Sequence, residues 1–220
     1  MVPHTHWDRE WYAPFQTFRL RLVDLLDDVL PRLESGELPH FLLDGQLAMV
    51  DDYLEVRPEA LDTLRRLAAD GRIEVGPWYV LMDEFLVSGE TIVRDLQSGL
   101  RRAAHIGEPM AVGYLPDMFG HVAQMPHLLR LAGLEHAVVW WGVPASVDKD
   151  TFRWSSPDGS TVVATYLWPE GYGNGAHLPD DGAGLVAQVR DHLAAMGDHS
   201  TGDVLWMHGT DHQSPSPDLR

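Results

Sequence analysis

The sequence contains no cysteine. Disulfide frameworks and thiolate metal sites are therefore both excluded, and any metal must be held by His and carboxylate side chains. A cysteine-free chain fits a cytoplasmic protein. Positive charge is scarce as well. Sixteen Lys and Arg stand against 33 Asp and Glu, a formal net charge of −17. Such a field repels nucleic acid and anionic membrane surfaces, and it suits a neutral or cationic ligand. No apolar run approaches membrane-spanning length. No basic stretch followed by an apolar segment opens the chain, so no secretory leader is expected. Internal repeats, low-complexity blocks and flexible linkers are all missing.

What is present is 220 residues with 45% apolar content, enough to bury a sizeable core in one large domain or two small ones. Apolar residues recur at helical spacing over 15–33, 47–54, 59–69, 89–106, 124–132 and 185–196. Short apolar runs at 41–43, 73–75, 110–115, 137–141 and 204–207 read as buried strands, with Val2 as the remnant of a first one. The segments 152–154 and 161–167 flank Pro157-Asp158-Gly159, a hairpin signal. Short apolar strands separated by helices predict a parallel sheet covered by helices, either barrel-like or doubly wound. In both arrangements, polar side chains just past the strand C-termini gather at one rim, where ligands bind.

The polar clusters fall at those strand ends. The first is His4-Thr5-His6-Trp7-Asp8-Arg9-Glu10-Trp11. His6 and Asp8 are two apart, so on an extended strand end they point the same way and can converge on one ion. An N/O donor set of this kind suits zinc. The second cluster is Asp117-Met118-Phe119-Gly120-His121, and the third is His208-Gly209-Thr210-Asp211-His212-Gln213. Helix capping by Asp117, or a turn role for Asp211, is the plainer reading of each carboxylate. The neighbouring aromatic, His and Gly residues exceed what a cap or a turn needs. Trp78-Tyr79 with Asp83-Glu84 suits a carbohydrate cleft, where sugar C–H faces stack on rings and carboxylates take hydroxyls; packing under a loop is the alternative. Asp44 and Gln46 at the second strand end carry a weaker signal.

At these residues the chain resembles glycoside hydrolase family 38, the retaining zinc-dependent α-mannosidases. Residues 4–11 are similar to the family's opening motif. Residues 71–84 are similar to its third-strand segment, 117–121 to its nucleophile motif and 209–213 to its later acidic motif in bacterial members. The motifs stand in the family's order and cover almost the whole chain. The resemblance implies a seven-stranded parallel β/α barrel, helices outside, followed by a helical bundle and large β domains. Residues 1–220 would be the N-terminal portion of that catalytic barrel, incomplete here and cut at both ends. His6 and Asp8 are implied as zinc ligands, with Asp117 as a third ligand and the nucleophile. Trp11 and Phe119 are implied as walls of the mannose subsite, and Asp211 as the acid/base. Trp78 and Asp83 are added as sugar contacts. The family's fourth zinc ligand is a His in a downstream His-Asp motif with no counterpart here, so the isolated chain is expected to be weak or inactive.

The implied reaction is hydrolysis of a terminal α-mannosidic bond with retention. In such enzymes the two carboxyl groups stand about 5–5.5 Å apart. Two rivals share the pattern. A metal-dependent deacetylase or amidohydrolase on a related barrel would activate water on the metal instead. An inactive carbohydrate-binding remnant would bind sugar without cleaving it. The expected partner is a mannoside or a mannose-containing oligosaccharide.

Overall fold

The structure, a computed structural model, describes residues 1–216. In chain order its elements are β1 (Val2–Thr5), α1 (Phe15–Ser35), β2 (Phe41–Leu43), α2 (Ala48–Leu54), α3 (Leu61–Ala69), β3 (Ile73–Glu74), α4 (Gly89–Ala103), β4 (Val112–Leu115), α5 (Met125–Leu131), β5 (His136–Val139), β6 (Thr151–Ser155), β7 (Thr161–Tyr166), α6 (Gly182–Met196) and β8 (Met207–His208). The chain divides into two compact units. One comprises Val2–Val80, Asp95–Met110 and the segment beginning at His208; the other comprises Met1, Leu81–Arg94 and Ala111–Met207.

The first unit is built on strands in the order β3-β2-β1-β8. β1 and β2 pair in parallel with His4 opposite Leu42, and β2 and β3 with Phe41 opposite Ile73. The three residues of β2 are all buried, as expected of a parallel strand covered on both faces. α1 buries Phe18, Leu22, Leu25, Leu26, Val29 and Leu33, which recur every three or four residues. It ends where Gly36 takes φ 82° and donates its N–H to the Leu33 carbonyl. Gly99 of α4 lets that helix press on the backbone after β3, since a Cβ there would stand 2.1 Å from the Pro77 carbonyl oxygen.

The second unit holds the sheet β4-β5-β7-β6. β4, β5 and β7 are mutually parallel, and β6 joins β7 as an antiparallel edge strand. Gly113, Ala137, Ala164 and Phe152 form one row across the four strands. α5 covers that face, and Leu129 presses so closely that a Cβ on Gly113 would lie 2.6 Å from it. The hairpin turn before β7 closes through Asp158, which accepts from the Ser160 N–H at 3.2 Å and its hydroxyl at 2.6 Å.

The α/β architecture with parallel sheets is the one the sequence pattern predicts. The first and the last strand differ most in detail. The first is a full strand rather than the remnant at Val2, because His4 and Thr5 are themselves its residues and are fully buried. The last begins at Met207, not Val204. Residues 204–206 are tied instead to Asn174, whose side chain donates to the Leu205 carbonyl and accepts from the Met207 N–H. No helix among the described residues is long and apolar enough to cross a membrane.

Candidate functional site

The first unit's polar cluster grows out of the end of β1. His6 extends the strand as a parallel bridge to Asp211. Its N–H donates to the Thr210 carbonyl at 3.3 Å, and its carbonyl accepts from the His212 N–H at 2.9 Å. The backbone thus fixes where the imidazole starts, and a buried carboxylate fixes where it points. Asp44 follows β2 with φ 48° and is fully buried. It stands 3.1 Å from His6 Nδ1, and it also accepts from the Trp7 N–H and from Gln46 Nε2, each at 2.8 Å. A carboxylate at Nδ1 selects the Nδ1–H tautomer and turns the Nε2 lone pair outward. His6 Nε2 lies 3.7 Å from Asp8 Oδ1.

Asp8 is held from the other side by His212. The Asp8 N–H donates to His212 Nε2 at 3.1 Å, so the His212 proton sits on Nδ1, 3.2 Å from the Tyr12 hydroxyl. The His212 ring is enclosed by Trp7, Tyr12 and Phe18, with centroids 4.4–5.7 Å away. Arg9 anchors the same loop through a two-pronged pair with Asp52, both contacts 2.7 Å. Trp11 is 65% exposed. Asp211 Oδ1 is buried with no hydrogen-bond partner among the described residues.

The second unit carries the cluster after β4. Asp117 is half-buried, and Phe119 adopts φ 51° and stands 63% exposed. The Phe119 ring stacks on Trp141 at 5.8 Å with planes 14° apart. Gly120 and Gly142 touch, since a Cβ on Gly142 would fall 2.3 Å from Gly120 Cα. Glu84, fully buried, bonds His121 Nδ1 and the Val122 N–H, each at 2.7 Å. Asp83 uses its carboxylate locally, accepting from the Phe85 N–H at 3.3 Å.

His6, Asp8 and Asp211 therefore meet in the first unit, and Asp83, Asp117 and Phe119 belong to the second. Trp78, expected to face a sugar, is enclosed in the first unit's core at 0% exposure, so its ring offers no face to a ligand in this arrangement. Among the described residues, no group of three or more His, Asp or Glu side chains is gathered so as to hold a metal ion. The His6–Asp8 pair does fit one. It offers one imidazole nitrogen and one carboxylate oxygen, with the imidazole oriented by a carboxylate behind it.

Against known proteins, the model of the glycosyl hydrolases family 38 N-terminal domain matches residues 1–218. The chain belongs to glycosyl hydrolase family 38. A putative mannosylglycerate hydrolase of Halalkalibacterium halodurans is 37% identical over 236 residues, covering 100% of this chain and 26% of the relative. Human alpha-mannosidase 2C1 is 27% identical over 77% of the chain and 17% of its own length. Among solved structures, an alpha-mannosidase from Enterococcus faecalis V583 superposes with a TM-score of 0.91 at 35% identity, over 99% of this chain and 25% of that one. A 4-alpha-glucanotransferase from Thermococcus litoralis shares the fold alone, with a TM-score of 0.64 at 13% identity. This family 38 chain spans about a quarter of the length of the bacterial relative.

Asp44, Glu84 and His212 are the site residues that reading by sequence underweights. Asp44-Gly45 looks like a turn and Glu84 like the neighbour of Asp83. The available signal was position: Asp44 directly follows the apolar run Phe41-Leu42-Leu43, as the other clusters follow theirs.

Proposed function

We propose that this family 38 chain is part of a zinc-dependent α-mannosidase that hydrolyses terminal α-mannosidic bonds with retention. Family membership and the names of its relatives support the reaction class. The observation that carries the zinc reading is the Asp44–His6–Asp8 relay, a buried carboxylate that turns an imidazole lone pair toward a second carboxylate.

His6 and Asp8 would hold the ion, with Asp117 as the third ligand. When bound, zinc polarises sugar hydroxyls and offsets charge near the anomeric centre. Asp117 attacks the anomeric carbon and forms a glycosyl-enzyme ester, while Asp211 gives its proton to the departing oxygen. Asp211 then takes a proton from water, which attacks the same carbon and frees Asp117, so two inversions restore the α configuration. The exposed rings of Trp11 and Phe119 would wall the mannose, Asp83 would take hydroxyls, and Trp78 would underlie the site. A neutral mannoside suits the charge of −17. The cysteine-free composition supports a cytoplasmic location.

The test incubates 4-nitrophenyl α-mannoside with zinc and the chain, alone and extended through the downstream His motif that the family implies. Proton NMR follows the first sugar released. α-Mannose appearing before its β anomer is the expected result, lost in Asp117→Asn. β-Mannose first, or cleavage that survives Asp117→Asn, would overturn the reading.

A further inference from the structure

Asp117 is carried by a loop whose backbone is held in unusual conformations. Phe119 is at φ 51° and Gly120 at φ 151°, both outside the conformations L side chains favour. Backbone in such regions persists only where its surroundings over-determine it. Much of that support comes from Glu84 and Phe85, with Gly142 beside them. Glu84 is fully buried, and its two oxygens are divided between two donors of the loop. Oε1 faces His121 Nδ1 and Oε2 faces the Val122 N–H, each at 2.7 Å. Phe85 seats against Gly120, where a Cβ would come within 2.1 Å of its ring. Gly142 closes the remaining side, because any side chain there would strike the Gly120 backbone. The His121 ring also stands edge-on to Trp154, with centroids 5.0 Å apart.

We propose that Glu84 is the positioning residue of the Asp117 loop, acting through a His121 locked in its Nδ1–H tautomer. Asp83, the more exposed member of the pair, is not in this role. A carboxylate is required because both of its oxygens must accept. Gln can present only one acceptor. If that oxygen keeps the Val122 N–H, the Gln amide must donate to His121 Nδ1, and the imidazole proton moves to Nε2. The seat is a statement about this chain alone. Its consequence for catalysis rests on the proposed role of Asp117 as nucleophile.

The experiment uses the chain in wild-type, Glu84→Gln and Glu84→Ala forms, with circular dichroism to verify folding. Imidazole 15N NMR reads the His121 tautomer, and amide exchange reads residues 117–122. Wild type should show Nδ1–H, and Glu84→Gln should show Nε2–H, with Val122 exchanging about tenfold faster as a charge-assisted bond becomes a neutral one. Glu84→Ala, if it folds, should raise exchange across 117–122 by about a hundredfold, the loss expected of two buried bonds. An unchanged tautomer in Glu84→Gln, or unchanged loop exchange in both variants, overturns the seat. In the active extended protein, kcat should fall about tenfold in Glu84→Gln with KM within about twofold, the pattern of an interaction felt in the transition state. A moved tautomer with unchanged kcat overturns the positioning role. Absence of mannoside cleavage by wild type would instead count against the α-mannosidase reading, and NMR would still decide the seat.

Discussion

The two units each hold a histidine with the same device and leave it in different surroundings. In the first, Asp44 takes His6 Nδ1 and the N–H of the next residue, Trp7. In the second, Glu84 takes His121 Nδ1 and the N–H of the next residue, Val122. Both carboxylates are fully buried. The difference lies at the far nitrogen. His6 Nε2 looks onto Asp8 at 3.7 Å, whereas His121 Nε2 is buried with no hydrogen-bond partner among the described residues. A histidine oriented toward a carboxylate is prepared for a cation. One whose far nitrogen accepts and donates no hydrogen bond among the described residues works as a strut. A half-buried carboxylate, Asp95, supplies a contrast, with a backbone N–H as its partner. It accepts from the Val80 N–H at 3.0 Å, its Oδ2 lacks a hydrogen-bond partner among the described residues, and burial raises its pKa to about 6.

The comparison breaks most visibly at Asp44. Asp44→Ala strands His6 Nδ1–H and the Trp7 N–H in the core, and should cost about 3 kcal/mol in urea unfolding. The same change should weaken zinc binding by about 10- to 100-fold in a chelator competition, while Glu84→Ala, which reaches the ion only through the Asp117 loop, should cost about threefold to tenfold. Equal losses of zinc from both variants would show that the two devices do one job. The next effect concerns the loop's seat. Gly142→Ala should destabilise by about 2 kcal/mol and Gly133→Ala by only about 1. Both sites have positive φ, at 77° and 79°, but only Gly142 has backbone within reach of a Cβ. Equal costs would remove Gly142 from the seat.

Asp95 sharpens the contrast by pH. Its folded pKa is raised from 3.8 to about 6, so the folded state binds the proton more tightly than the unfolded chain. Its burden on stability is therefore absent below about pH 4, grows as pH rises to about 6, and is then constant. Asp95→Asn keeps an acceptor for Val80 and should stabilise the fold by about 1 kcal/mol at pH 7, and by nearly nothing at pH 4. A gain that is equal at both pH values would mean the carboxylate is not charged against its surroundings. The smallest effect belongs to the solvent-facing pair Arg94–Glu90 on α4, whose loss in Arg94→Ala should stay within about 0.5 kcal/mol.

The sequence made the helices and the rim motifs legible because both rest on local signals. The spacing of Phe18, Leu22, Leu25 and Leu26 marks α1, and the dense polar run at 4–11 cannot be core in any ordinary strand. That last inference also concealed something. His4 and Thr5 are fully buried strand residues, and hydropathy does not recognise a strand made of them. Asp44 and Glu84 stayed in the background because their importance is non-local. Each acts on a partner 37 or 38 residues away, a distance no window can span. Trp78 shows the converse. Beside carboxylates it reads as a ring for stacking sugar, but its backbone pairing with Gly45 and Leu47 turns it into the core.

The position of β1 between β2 and β8 has a consequence for the order of assembly. One neighbour of β1 follows it by about 40 residues, where His4 pairs with Leu42. The other arrives with the segment that places Thr210 beside Thr5 across 205 residues. At about 5–20 residues per second, the wait between the two neighbours lasts roughly 8–34 s on the ribosome. During it, β1 presents an open edge with His4 and Thr5 on it, and His6 has neither Thr210 to accept from its N–H nor His212 to donate to its carbonyl. The His6 centre is thus the last part of the first unit to form, and a nascent chain stalled before residue 208 should bind zinc no better than an unfolded peptide.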